Sequence, residues 1–211
     1  MSYDIYLVGV GGQGVLTIGE IVTTAAVSEG VPASFYPSKG MAQRGGFVKA
    51  QLRLGRQAVG PNIPEKGADL VIALELSEAL KAVRFVRPGG EFLLFGHIWA
   101  PRAVMLGKAD YPSLRQVLAQ VRGARGRVRY LDPENLPFHN GVVVPANVFV
   151  LGAAAGQTRL SDVLPPSSVA HAIEARWAKA TGRNLFAFQA GLKALAGDDP
   201  REQRAVTETG S

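Results

Sequence analysis

An α/β fold, a single Rossmann-like domain with a mainly parallel sheet flanked by helices, is what this sequence predicts. Three observations carry that reading. The apolar run from Ile5 to Val8 feeds directly into the turn Gly9-Val10-Gly11-Gly12-Gln13-Gly14, and the turn opens onto a helical pattern. Strand-like and helix-like stretches then alternate with short connections along most of the chain. Glycine and proline punctuate the boundaries.

The elements follow in order. Leu16, Ile18, Ile21, Val22, Ala25 and Ala26 recur at helical spacing, and Gly30 stands where a helix C-cap favours glycine. A strand from Val31 to Tyr36 leads into an irregular stretch from Pro37 to Gly46. Phe47 to Leu54 alternates and reads as a strand with one wetter face, closed by Gly55. Asp69 to Leu74 is a near-continuous apolar strand, followed by a short helix through Glu78, Leu80 and Val83. Pro88-Gly89-Gly90 reads as a turn before a strand from Glu91 to Phe95. Ser113 is a plausible N-cap for a helix with the face Leu114, Val117, Leu118 and Val121, and Val128 to Leu131 is a further strand. Helical patterns run from Val148 to Gly156, Ser167 to Ala180 and Leu185 to Ala196. The expectation is one domain over residues 1–197 and a disordered polar tail over residues 198–211.

Composition narrows the function. The 211 residues suit one large core. No run approaches the roughly 18 to 20 apolar residues of a membrane span, and the start, Met1-Ser2-Tyr3-Asp4, lacks the basic region of a signal peptide. A cytoplasmic protein is expected. The absence of cysteine excludes disulfides, cysteine-ligated iron-sulfur clusters and thiol catalysis within the chain. The net charge of +6 favours anionic ligands or acidic partners. Much of it lies between Arg102 and Arg129, where Lys108, Arg115, Arg122, Arg125 and Arg127 face only Asp110. That stretch reads as a solvated basic face rather than a nucleic-acid site, since only Tyr111 and Tyr130 accompany it.

The glycine turn matches a dinucleotide fingerprint, Gly9-x-Gly11-x-x-Gly14, but one part is missing. A carboxylate about 20 residues further on normally holds the ribose hydroxyl. Here no Asp or Glu follows Glu29 until Glu65. Lys39 could meet a 2′-phosphate, so a stand-alone NADP-binding oxidoreductase remains an alternative; so does a turn with no ligand at all.

A second loop, Ser38-Lys39-Gly40-Met41-Ala42-Gln43-Arg44-Gly45-Gly46, is rich in glycine and carries two cations and an amide. Ligands of open α/β sheets gather at the carboxyl ends of strands. Consecutive parallel strands would therefore bring Gln13 and Arg44 to one edge, and Arg44 offers a planar fork for a phosphate or carboxylate. The candidate binding residues are thus Gly9, Gly11, Gly12, Gln13 and Gly14 with Met41, Gln43, Arg44 and Gly45.

Those two loops, together with Ala68-Asp69, Leu74-Glu75, Glu78-Ala79, Asn147, Leu151-Gly152, Asn184, Ala187-Phe188 and Gly191, resemble the gamma component of 2-oxoacid:ferredoxin oxidoreductases. Within that family the pattern is nearest the small (beta) subunit acting on indolepyruvate. The resemblance covers about residues 3 to 195. It implies a subunit that carries no cofactor alone, in a hetero-oligomer whose larger partner holds thiamine diphosphate, magnesium and iron-sulfur clusters. Coenzyme A would take the acyl group, and electrons would leave to ferredoxin or another acceptor. It implies no membrane and no nucleic acid. The lack of cysteine and of a Gly-Asp-Gly type diphosphate-metal motif agrees with that division of labour.

Other chemistry is sparse. His97, His139 and His171 show no metal-ligand spacing. Glu75 and Glu78, three apart, read either as an acid-base pair or as carboxylates stabilising a helix N-terminus. No Gly-x-Ser-x-Gly elbow occurs.

Overall fold

The computed structural model describes residues 2–39, 46–57, 60–100, 102–108, 110–178 and 181–194. Strand β1 (Tyr3–Val10) is buried along its whole length and hands over to helix α1 (Val15–Ser28). Next come β2 (Ala33–Lys39), β3 (Phe47–Leu54), β4 (Ala68–Ala73), α2 (Leu76–Ala82) and β5 (Val86–Phe95). A short α3 (Arg102–Met105), then α4 (Leu114–Gly123) and β6 (Arg127–Leu131), complete the first part of the chain. A two-stranded ribbon, β7 (Phe138–His139) with β8 (Val142–Val143), leads to helices α5 (Ala146–Gln157), α6 (Pro166–Arg176) and α7 (Thr181–Leu192).

The main sheet has the order β2-β3-β1-β4-β5-β6. β1, β4, β5 and β6 are parallel neighbours, whereas β3 runs antiparallel to both β1 and β2. The sheet is therefore mostly parallel, with one reversed strand that consecutive parallel strands would not produce. The connection over residues 40–46 is the reason. A parallel crossover needs a dozen or more residues, so a link this short folds β3 back beside β2.

That reversal disfavours the NADP alternative. A dinucleotide fold needs its second strand next to the first, so that the strand end can reach the ribose. Here β3 fills that place, and Lys39 at the end of β2 stands two strands from β1, roughly 10 Å away at ordinary strand spacing.

Alternation along the strands separates two cores. Ile5, Leu7, Leu52, Leu70, Ile72 and Leu93 face α1, α5, α6 and α7; Tyr6, Val8, Val71, Phe92 and Leu94 face α2 and α4. α5 is buried from Val148 to Ala155 and lies directly on α7. A Cβ on Gly152 would sit 2.1 Å from the Phe188 carbonyl oxygen, and one on Gly191 2.0 Å from that of Phe149. The two backbones touch, so only glycine fits at that crossing.

Several boundaries differ from the sequence reading. β5 starts at Val86 and takes Pro88-Gly89-Gly90 into an irregularity, where Val86 to Glu91 spans the same rise as Ala68 to Leu70. β2 extends to Lys39, and α6 stops at Arg176. Ser113 caps α4 in a full capping box with Gln116. The expected wetter face of β3 is partly exposed only at its start, where Lys49 lies; further on Gln51 and Arg53 are buried, and Arg53 pairs with Asp4, its Nη2 lying 3.0 Å from Oδ2. The tail over residues 198–211 falls outside the described residues.

Candidate functional site

The carboxyl ends of β1, β4, β5 and β6 share one edge of the sheet, because these four strands run together. The turn after β1 opens that edge. Gln13 N donates to the Val10 carbonyl at 3.2 Å, and Gly12 (φ +100°) and Gly14 (φ +77°) take left-handed conformations that favour glycine. Gly9 serves packing: a Cβ there would meet Gln13 Oε1 at 2.7 Å and Val15 Cγ2 at 2.8 Å. Gly12 faces open space.

Gln13 is engaged at both ends of its amide. Its Oε1 accepts from Val10 N at 2.9 Å, and its Nε2 donates to the Leu74 carbonyl at 3.0 Å. A main-chain N–H on one side and a carbonyl on the other fix the amide's orientation. The side chain therefore ties the end of β1 to the end of β4.

Gly14 is the N-cap of α1, with no side chain capping the helix and no acidic residue in its first turn. A Cβ on Gly14 would lie 2.3 Å from Nδ2 of Asn147, in the first turn of α5. α5 is likewise without a side-chain cap or an acidic residue in its first turn. Two helix N-termini thus converge, each with main-chain N–H groups and the positive end of its dipole.

The second sequence loop meets the first at its described end. Gly11 N donates to the Gly46 carbonyl at 2.8 Å, and Val10 stands opposite Phe47 in the β1/β3 ladder. Lys81 Nζ lies 5.3 Å from the centre of the Phe47 ring and 2.8 Å from Glu78 Oε1. Met41, Gln43, Arg44 and Gly45 lie outside the described residues.

Glu75 begins the connection after β4 and is fully buried. It is the N-cap of α2 in an extended conformation, so it and Glu78 do not share a helix face. One oxygen accepts from Glu78 N at 2.8 Å and the Ser77 hydroxyl at 2.7 Å; the other accepts from Trp99 N at 3.2 Å and from the Tyr111 hydroxyl. Burial first, then its bond to Glu75 and that group's charge, hold the Tyr111 phenol protonated well above its ordinary range. Glu78 pairs with Lys81. Both carboxylates thus have structural partners, and sequence reasoning had no signal for Trp99 or Tyr111, which lie 24 and 36 residues away.

The remaining candidates sit apart. His97 stacks between Phe95 and Trp99 at ring distances of 6.3 and 6.4 Å; His139 packs on Phe186 at 4.8 Å; His171 is exposed on α6. Of the basic stretch, Arg127 binds the Gly89 carbonyl and Arg129 lies 3.7 Å from Glu91. No helix among the described residues is long and apolar enough to cross a membrane.

Comparison with known proteins agrees with this architecture. Residues 4–194 match the pyruvate ferredoxin/flavodoxin oxidoreductase family. The indolepyruvate oxidoreductase subunit IorB of Archaeoglobus fulgidus is 37% identical over 74% of this chain and 77% of its own length. That of Pyrococcus horikoshii is 33% identical over 92% of this chain and 96% of its own. Among solved structures, pyruvate oxidoreductase subunit PORC of Thermotoga maritima superposes with a TM-score of 0.65 at 21% identity, covering 91% of this chain and 96% of that one. With a family match across nearly the whole chain and relatives of similar length, the chain belongs to the pyruvate ferredoxin/flavodoxin oxidoreductase family.

Proposed function

We propose that this chain supports the oxidative decarboxylation of an aryl-pyruvate, of the indolepyruvate type, to its acyl-coenzyme A in the cytoplasm. A larger subunit would carry thiamine diphosphate, magnesium and the iron-sulfur clusters, and pass electrons to ferredoxin or another acceptor. The aryl-pyruvate assignment rests on the similar archaeal proteins, which are subunits of indolepyruvate oxidoreductases. The division of labour rests on the donor set: with no cysteine, this chain has no thiolate for a cluster.

The observation that carries a binding role is the meeting of α1 and α5 at Gly14 and Asn147. Two uncapped helix starts at the carboxyl edge of a mostly parallel sheet favour a negative group. On this reading Gly9, Gly11, Gly12, Gln13 and Gly14 shape a cradle: Gly11 N and Gln13 N hold the turn through the Gly46 and Val10 carbonyls, and the N–H groups that meet a phosphate of coenzyme A or a carboxylate of the larger subunit are those of the uncapped first turns of α1 and α5. Met41, Gln43, Arg44 and Gly45 complete the proposed binding set by sequence, with Arg44 as its guanidinium donor. On this reading the chain's own work is to bind and orient.

Reconstitution tests the reading. The chain alone, supplied with thiamine diphosphate, coenzyme A, indolepyruvate and a dye acceptor, should be inactive, and adding the larger subunit should give acyl-coenzyme A. Robust turnover by the pure chain, or a larger subunit equally active without it, overturns the assignment.

A further inference from the structure

The sheet's carboxyl edge carries a second feature that the cradle does not use. Ile98, Trp99, Met105 and Leu106, in the connection from β5 to α4, are 60%, 48%, 71% and 57% exposed. Isolated exposed apolar residues are ordinary, but four large ones within nine positions, an indole among them, make this connection the kind of segment that marks an interaction site.

The backbone at Trp99 is held in place although its side chain is half exposed. Trp99 N is fixed by Glu75, a fully buried carboxylate that lacks a cation partner among the described residues. The same oxygen accepts from the Tyr111 hydroxyl, and Leu76 N donates to the His97 carbonyl at 3.0 Å. A buried charge is costly, and here four donors offset that cost. Two of those donors, Trp99 N and the Tyr111 hydroxyl, bracket the exposed segment. An aromatic side chain presented on a fixed backbone is pre-organised, which reduces the entropy lost on binding.

We propose that Ile98, Trp99, Met105 and Leu106, positioned by Glu75, form the surface through which this chain docks on the larger, cofactor-bearing subunit, in an apolar pocket with carboxylates on its rim. The charge pattern selects that occupant. Residues 96–109 contain Arg102 and Lys108 and no carboxylate. A second copy of this chain would set the exposed Lys108 against its own counterpart, on a protein already at +6. An acidic rim would pair with it instead. The proposal rests on the subunit reading given above, but it adds the contact surface, the anchor and the sign of the partner's charge.

The test uses the full chain titrated against its larger subunit, with the affinity and the turnover of the mixture both measured. Trp99→Ala should weaken association by at least about 30-fold, as expected for an interface anchor. Trp99→Phe should stay within about fivefold of wild type, because a phenyl ring fills much of the same pocket. Lys108→Glu should weaken association and flatten its salt dependence. Val27→Ala, at an equally exposed apolar residue near the far end of α1, should change nothing. Trp99 is half exposed, so its replacement does not endanger the fold. If wild type binds and restores turnover while Trp99→Ala binds equally well, the docking surface is wrong and the subunit reading stands. If wild type neither binds nor restores turnover, the subunit reading fails and the proposal with it. A wild-type chain that dimerises through this patch, with dimerisation lost in Trp99→Ala, also overturns the proposal.

Discussion

The side-chain amide of Gln13 reaches across the sheet edge to the carbonyl of Leu74 at 3.0 Å, while its oxygen holds Val10 N. Leu74 immediately precedes Glu75, so the turn after β1 and the segment bearing Trp99 are anchored on adjacent residues.

Gln13→Ala should therefore lower folding stability by about 1 to 3 kcal/mol for each main-chain group it leaves buried and unpaired. Gln13→Glu should recover the bond from Val10 N but place negative charge against the Leu74 carbonyl, so it should rescue only part of the loss. Denaturant titration of the three proteins gives the comparison. Equal stability for all three would show that water replaces the amide without cost.

Gly14 and Gly12 separate two effects of adding a methyl group. Both have left-handed backbones, which cost a non-glycine residue roughly 1 to 2 kcal/mol. Gly12→Ala should show about that much, since its Cβ would point into open space. Gly14→Ala should lose roughly 2 to 5 kcal/mol, because Asn147 must also move. Asn147→Gly in the Gly14→Ala background should restore part of the difference, read from thermal unfolding.

Burial, reinforced by the Glu91 carboxylate, holds the Tyr3 phenol protonated well above its ordinary range, and Tyr111 behaves likewise through burial and Glu75. The folded chain keeps protons that the unfolded chain releases near pH 10. These tyrosines therefore contribute their full stability below about pH 10, and it declines as pH rises from there toward their folded-state values. Tyr3→Phe should make the alkaline decline shallower while leaving its onset near the same pH. An unchanged slope in a pH series of denaturant titrations would refute the linkage.

Arg44 is the decisive residue of the loop over residues 40–46. If its guanidinium meets a phosphate or carboxylate, Arg44→Ala should weaken coenzyme A or subunit affinity roughly tenfold to a hundredfold, the equivalent of about 1.5 to 3 kcal/mol. Arg44→Lys should recover little, since an ammonium lacks the planar fork. A fall in thermal stability with both affinities unchanged would make the residue structural.

Sequence pattern was most informative where local rules act alone. Phe47–Leu54 appears with its expected limits, Ser113 caps its helix, and Gly30 follows the end of α1 with φ +68°. Strand direction is not written in alternation, because side-chain period is the same either way; only the short link over residues 40–46 carried that signal. Arg53 reads as solvent-facing by residue type, yet a carboxylate 49 positions away makes its burial favourable. The convergence of Gly14 with Asn147, and of Glu75 with Trp99 and Tyr111, depends on elements far apart in the chain. No local pattern encodes those meetings.

The buried pair between Asp4 and Arg53 has an effect far from where it lies. The two residues are direct partners in the β1/β3 ladder, six steps from the pairing of Val10 with Phe47. A slip of two residues would keep apolar side chains on their proper faces, so hydrophobic patterning alone does not forbid it. The ion pair does, since a slipped Arg53 would leave two buried charges without each other. Asp4 and Arg53 thus act as an alignment pin at one end of a ladder whose other end places Gly46 against Gly11. Neutralising either should blur the geometry of the opposite edge, and a lesion some 20 Å from the cradle, by the rise of a strand, would be felt there as lost precision.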